Sequence, residues 1–151
     1  MGIIDALNVS ASGMSAQRLR LDTITQNIAN VNTTRDANGN PYRRKTVVFA
    51  TKSQDSFSTA LAMSQKGGIS ELVGNGVKVT AIAEDHKTPM KIVYDPGNPD
   101  ADEDGYVTLP NVNTVTEMAN LIDASRAYEA NITAFNATKN MLLKGLEIGK
   151  S

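Results

Sequence analysis

The stretch that most constrains this chain runs from Asn113 to Ile148, with no proline and a single glycine, Gly145, close to its end. Met118, Leu121, Tyr128, Ile132, Phe135, Leu142 and Leu146 recur at alternating three- and four-residue spacings, with Ser125 and Lys139 in the two gaps. This is the apolar stripe of one long helix with a period near 3.5. Thr114 and Glu117 are spaced as an N-cap hydroxyl and its returning carboxylate, and Gly149 is placed to end the helix. At ~1.5 Å per residue the helix spans roughly 50 Å. A helix of that length cannot bury its own stripe, so the pattern demands a partner.

A second stripe of the same kind occupies Ile3 to Val31. Leu7, Met14, Leu21 and Ile28 are spaced by sevens, with Ile3, Ile24 and Val31 on neighbouring positions and interruptions at Ser10 and Gln17. A 3.5-type repeat calls for another helix, not a sheet. Ser10 to Gly13 is a weak helix region, costing about 1 kcal/mol at the glycine, and predicts a break or bend there with the firm helix running from Met14 to Val31. Asn30 to Thr34 ends the helix, because Asn and Thr side chains compete for backbone partners.

Between the helices the signals are those of a small β-rich insert. Asp36 to Pro41 is a loop by its Asn-Gly and Pro content. Thr46 to Phe49 reads as a short strand, and Lys52 to Gln65 as a loop or weak helix around Phe57, Leu61 and Met63, broken at Lys66-Gly67-Gly68. Gly76 to Ala83 alternates like a half-buried strand. Met90 to Tyr94 and Tyr106 to Leu109 are two more strands, separated by a loop from Asp95 to Gly105. The fold class is therefore α+β: long N- and C-terminal helices paired as an antiparallel coiled-coil-like hairpin, with a small β-rich insert at its far end. Asn27, Asn30, Asn131, Asn136 and Asn140 line the helix faces, and amides beside a seam fix register at some cost in stability.

Composition closes off most chemistry. With 151 residues, no cysteine and no tryptophan, the chain has little core-forming material and neither disulfides nor thiolate chemistry. The formal net charge of −1 argues against nucleic acid or an anionic membrane. No apolar run is long enough to span a bilayer, and the N-terminus lacks the basic and apolar regions of a secretory signal. Asp100, Asp102, Asp104 and Gly105 match the first half of a calcium loop, but the twelfth position is Asn111 and the flanks read as strands, so a solvated acidic turn is the better reading. Arg43-Arg44-Lys45 is a basic cluster best used in a salt bridge to a neighbouring acidic loop. His86, the only histidine, has no second metal ligand, and no nucleophile turn accompanies it. Gly74-Asn75-Gly76 precedes a strand and opens no helix, so it is not a phosphate loop. These residues offer no catalytic site, metal or cofactor.

Two long motifs carry a resemblance. ALNVSASGMSAQRLRLDTITQNIANVNTT (Ala6 to Thr34) resembles the N-terminal signature of bacterial flagellar rod and hook subunits. NVNTVTEMANLIDASRAYEANITAFNATKNMLLKGLEIG resembles the C-terminal signature of the same family. Pro41 to Phe49 and Asp95 to Asn113 are similar to its proximal-rod members, and the chain is too short for the hook or distal-rod subunits. Thr23-Ile24-Thr25-Gln26 departs from the more apolar version expected there.

The resemblance implies a structural subunit of the flagellar basal body, located in the cell envelope and exported by the flagellar type III apparatus without cleavage. It implies partners among other rod subunits, with residues 1–34 and 113–151 forming an inner tube around the export channel and residues 35–112 an insert that thickens the wall. Candidate assembly residues are Leu7, Met14, Leu21, Ile24, Asn27, Ile28, Asn30 and Val31 on the first helix. On the second they are Met118, Leu121, Tyr128, Asn131, Ile132, Phe135 and Leu142. The competing classes are a cytoplasmic helical adaptor or export chaperone and a calcium-responsive module.

Overall fold

A computed structural model describes residues 2–36, 39–52 and 76–149. Helix α1 spans Ile3–Ala29, strand β1 Lys45–Thr51, β2 Val77–Glu84, β3 Lys91–Tyr94, β4 Tyr106–Leu109, and helix α2 Thr114–Ile148. β1 pairs with β2, and β3 with β4, in two separate two-stranded sheets. The α+β class holds. The expected loop or weak helix beyond Lys52, with Phe57, Leu61, Met63 and the Lys66-Gly67-Gly68 break, lies outside the described residues.

The break expected at Ser10 to Gly13 does not occur, because α1 is one continuous helix of 27 residues. Its weak helix formers have tertiary work to do. The Ser12 hydroxyl donates to Val9 O at 2.7 Å and accepts the Val77 N–H at 3.1 Å, which ties the start of β2 to the helix. A Cβ on Gly13 would stand 2.6 Å from Asn131 Oδ1. The helix does stop where local chemistry predicts: Asn30 Nδ2 donates back to Gln26 O, and the Thr33 hydroxyl donates to Asn30 Oδ1.

Helix α2 runs uninterrupted for 35 residues and ends just before Gly149. Its N-cap is Asn113, not Thr114. Asn113 Oδ1 accepts the N–H groups of Val115 at 3.0 Å and Thr116 at 3.2 Å. Glu117 does not return to the cap, since its carboxylate is drawn into tertiary contacts.

The chain divides into two compact units. Among the described residues, the first takes those within Met1–Arg18, Phe49–Thr80 and Ser125–Ser151, and the second those within Leu19–Val48 and Ala81–Ala124. In the first, Ser10, Ala16 and Thr138 are the most enclosed side chains; in the second, Thr23, Ile24, Asn27, Val47, Val107, Asn111, Glu117 and Ala124. These lists are short on large apolar residues, as the composition requires. β2 is less enclosed than its alternation suggests, with exposed residues from Thr80 onward.

Candidate assembly interface

The second unit is organised around one buried amide. Asn27 Nδ2 donates to Lys45 O at 2.8 Å and to Glu117 Oε2 at 3.0 Å. Its Oδ1 accepts the Tyr42 hydroxyl and the Lys45 N–H, each at 2.9 Å. Two donors and two lone pairs are all used, the full capacity of an amide side chain. Glu117, 1% exposed, takes the Arg44 Nε–H on its other oxygen at 2.8 Å. Arg44 also reaches Asp85 at 3.8 Å, and the Arg44 carbonyl accepts the Asp85 N–H at 2.8 Å. Asn111 completes the set. Its Oδ1 accepts the Arg44 N–H at 2.9 Å, while its Nδ2 donates to Asp85 O and Thr88 O. Thus the end of α1, the entry to β1, the exit from β2 and the start of α2 are fastened by side chains from five separate stretches of sequence.

Electrostatics differ between the enclosed part of this site and its open edge. Burial raises the Tyr42 phenol above its ordinary ionisation range, and the negative charges of Glu84 and Glu117 add to the shift. The Thr88 hydroxyl, then the Thr88 and Lys87 N–H groups, hold the Asp85 carboxyl below the usual carboxylate range, with Arg44 contributing in the same direction. The basic cluster is used as expected, through Arg44.

The acidic turn is occupied by protein partners. Asp100 accepts the Thr34 hydroxyl and pairs with Arg35 at 2.9 Å. Asp102 Oδ1 accepts the N–H groups of Asp104 and Tyr106. Gly105 supplies the positive φ of 81° that the turn requires. Among the described residues no group of three or more His, Asp or Glu side chains converges as metal ligands do.

The predicted assembly residues fall into three exposure classes. Ile24 and Asn27 are buried. Leu7, Met14, Leu21, Ile28, Asn30 and Val31 on α1, and Leu121, Tyr128, Asn131, Ile132, Phe135 and Leu142 on α2, are half-buried. Met118 is exposed, at 52%. The most enclosed line of α2 lies one residue before the one the apolar spacing picks out: Glu117, Ala124, Asn131 and Thr138, spaced by sevens. On α1, Ser10, Ala16 and Thr23 play the same part. Apart from Ile24, small and polar residues thus hold the interior of the helices, and the large apolar ones flank it. Buried Thr23 and Thr138 satisfy their hydroxyls on Leu19 O and Ala134 O, four residues back.

Residue-by-residue reading of the sequence missed Ser12, Tyr42, Asn111 and Glu117 as tertiary anchors. For Asn111 and Glu117 the available signal was a hydrogen-bonding side chain beside a helix start, which local capping explains equally well; Ser12, inside α1, and Tyr42, in the loop before β1, carry no such signal.

Comparison with known sequences adds what geometry cannot. Residues 7–35 match the family described as flagella basal body rod protein, and residues 103–148 the family described as flagellar basal body rod FlgEFG protein C-terminal. The chain is 50% identical to the flagellar basal-body rod protein FlgC of Bacillus subtilis over 154 residues, covering 99% of this chain and 100% of the relative. It is 44% identical to FlgC of Borreliella burgdorferi, covering 98% of each, and 38% identical to FlgC of Salmonella typhimurium, covering 99% and 100%.

Proposed function

From the premise that this chain belongs to the flagellar basal-body rod proteins, as a FlgC, we propose how its helices build a rod. It is a structural subunit of the proximal rod, not an enzyme. It works in the flagellar basal body in association with other rod components, and so serves motility.

In the proposed arrangement α1 and α2 pair antiparallel, residues 1–34 and 113–151 line the export channel as an inner tube, and residues 35–112 thicken the wall. Local contacts favour the pairing. In one unit Gly13 stands against Asn131, and in the other Asn27 bonds Glu117. The subunit reaches the envelope (the periplasmic space in a Gram-negative cell) unfolded, through the flagellar type III apparatus and without cleavage. Its helices complete their packing on docking, when neighbours supply the missing partners.

The observation that carries this reading is the exposure of large apolar side chains on both helices. Ile4 is 68% exposed, Val115 78%, Met141 60%, Leu146 59% and Ile148 76%. Apolar surface of this kind, rimmed by polar residues, marks sites of association. Unlike contacts between successive subunits generate an open helical array.

Quantitative mass spectrometry of purified, detergent-washed hook–basal bodies tests the reading. A few copies per particle, retained on washing, are expected. Absence from the particles, with the chain abundant in the cytoplasm, would overturn it in favour of the adaptor.

A further inference from the structure

The hairpin of β3 and β4 has one face buried and the other open, and the open face is not polar. Val93 lies opposite Val107, which is 2% exposed, on the enclosed side. On the other side Ile92 lies opposite Thr108 and Tyr94 opposite Tyr106. Ile92 is 67% exposed, Tyr94 63% and Tyr106 46%. The tyrosine rings meet edge to face with centroids 5.3 Å apart. The outer face of a two-stranded antiparallel sheet is ordinarily the solvated, polar one. This one is an apolar strip.

The strip has unlike charges at its two ends. Its turn, Asp95 to Gly105, contains Asp95, Asp100, Asp102, Glu103 and Asp104 and neither lysine nor arginine. Asp100 is neutralised by Arg35, whereas Glu103 and Asp104 are exposed and join no ion pair among the described residues. At the other end Thr108 opens onto a groove of about 520 Å³ that Tyr42, Arg43, Lys45 and Met90 also line. Arg43 has no ion pair among the described residues, and Lys45 sits over the Tyr42 ring at 5.6 Å. Asp36 and Glu84 also border the groove, Glu84 facing His86 at 3.8 Å. Lys91 stands at this same end, opposite Leu109.

We infer that this strip is a contact between copies of the chain, in which the acidic turn of one subunit docks against the Arg43–Lys45 groove of the next. An apolar strip with an acidic and a basic end complements itself either in a closed antiparallel pair or with a second copy displaced along it, and only the displaced contact builds an open array. Tip-to-groove contact leaves the far groove and the far tip free, so it propagates, as the rod reading on which this inference rests requires. The charges set order and register while the Ile92, Tyr94 and Tyr106 face supplies the burial. A contact this small suffices because the helical tube already holds the subunits together at high effective concentration.

The absence of cysteine makes the contact directly testable in assembled basal bodies. Full-length Ala101→Cys and Thr108→Cys chains, co-expressed with different tags, are expected to form a disulfide-linked heterodimer on oxidation. Neither variant alone should dimerise comparably. A chain carrying both substitutions is expected to give a ladder above the dimer. A product that stops at the dimer means closed face-to-face pairing and overturns the tip-to-groove contact. So does absence of any cross-link in particles shown by mass spectrometry to contain both chains. Chains missing from the particles altogether would fail the rod reading itself. Arg43→Glu should lower the ladder yield several-fold, and adding Glu103→Lys to the same chain should restore it. An unchanged yield in Arg43→Glu would remove the charged groove from the contact.

Discussion

Asn27 and Glu117, 90 positions apart in the chain, meet at 3.0 Å in a site where neither side chain sees solvent. Their bond joins the last turn of α1 to the first turn of α2. The amide supplies a donor to a carboxylate whose other oxygen is held by Arg44, so no member can leave without stranding another. Breaking a buried pair by removing one partner costs about 3–5 kcal/mol, mostly as the uncompensated charge left behind. Arg44→Met is therefore expected to destabilise the monomer by an amount in that range. Arg44→Met combined with Glu117→Gln should recover much of the loss, because the stranded charge is gone. Urea unfolding of the single and double variants measures this, and equal losses in both would show that the charge is not what matters.

The Tyr42 phenol gives the same site a pH dependence. Its folded ionisation point is raised, so the proton is held more tightly in the folded state. The stabilisation is complete below the ordinary tyrosine value of about 10 and is lost as pH rises through the folded value. The cause is physical: burial disfavours the charged phenolate, which would also face the negative charges of Glu84 and Glu117. Tyr42→Phe is expected to cost about 1 kcal/mol at neutral pH for the lost hydrogen bond. It should also flatten the alkaline limb of a thermal-midpoint profile relative to the parent chain. Parallel limbs would show that other groups govern alkaline unfolding.

Gly76 is the second place where one residue type is required. Its φ is 79°, and an added Cβ would collide with the Ser12 hydroxyl and lie 3.4 Å from Val9 Cα. Gly76→Ala therefore carries both left-handed backbone strain of about 1–2 kcal/mol and a steric clash. Ser12→Ala removes only the hydrogen bonds, about 1 kcal/mol. Amide exchange at Val77 should speed up in both variants, and more in Gly76→Ala. The reverse order would mean that the hydroxyl, not the close approach, fixes the start of β2.

Gly13 sets two effects of known size against each other. Alanine at an interior helix position gains about 1 kcal/mol of helix propensity. At this position its Cβ would lie 2.6 Å from Asn131 Oδ1, and the Asn131 amide is itself anchored on Ala127 O at 2.7 Å. Overpacking usually costs about 1–3 kcal/mol, so after that gain Gly13→Ala is expected to destabilise by up to about 2 kcal/mol net. In an Asn131→Ala background the same substitution should become stabilising. A double-mutant cycle with no coupling would separate the two helices at this level.

What the sequence discloses about this fold depends on how far apart the cause and the effect lie. The stop at Asn30 to Thr34 was readable because Gln26, Asn30 and Thr33 satisfy one another within two turns. The strands at β3 and β4 were readable because alternation is local. Ser10 to Gly13 looked like a break because the reasons for its residues, Val77 and Asn131, belong to remote stretches. Glu117 looked like a capping carboxylate for the same reason, and its real partners, Asn27 and Arg44, share no spacing rule with it. On α2 the enclosed line is offset by one position from the apolar stripe because the closest approach uses alanine, threonine, asparagine and a paired glutamate, whereas on α1 buried Ile24 and Ser10 lie on the stripe itself.

That displacement bears on the seam. Leu121 and Ile132 flank the enclosed line of α2 and are half-buried, so part of each is already committed to the single chain and part remains open. If the open part docks on neighbouring subunits, an aspartate there must lose a carboxylate's hydration at the subunit contact, a cost of several kcal/mol for each ion. In the free subunit the same aspartate can turn toward water. Leu121→Asp and Ile132→Asp are therefore expected to leave secretion through the export apparatus within about two-fold of the parent, an RT ln 2 effect well under 1 kcal/mol. Both should abolish swimming and leave basal bodies without a completed rod. Normal motility in both would mean that these side chains serve only their own helix and that subunits join elsewhere. Loss of secretion in both would place their main role in the single chain, before assembly begins.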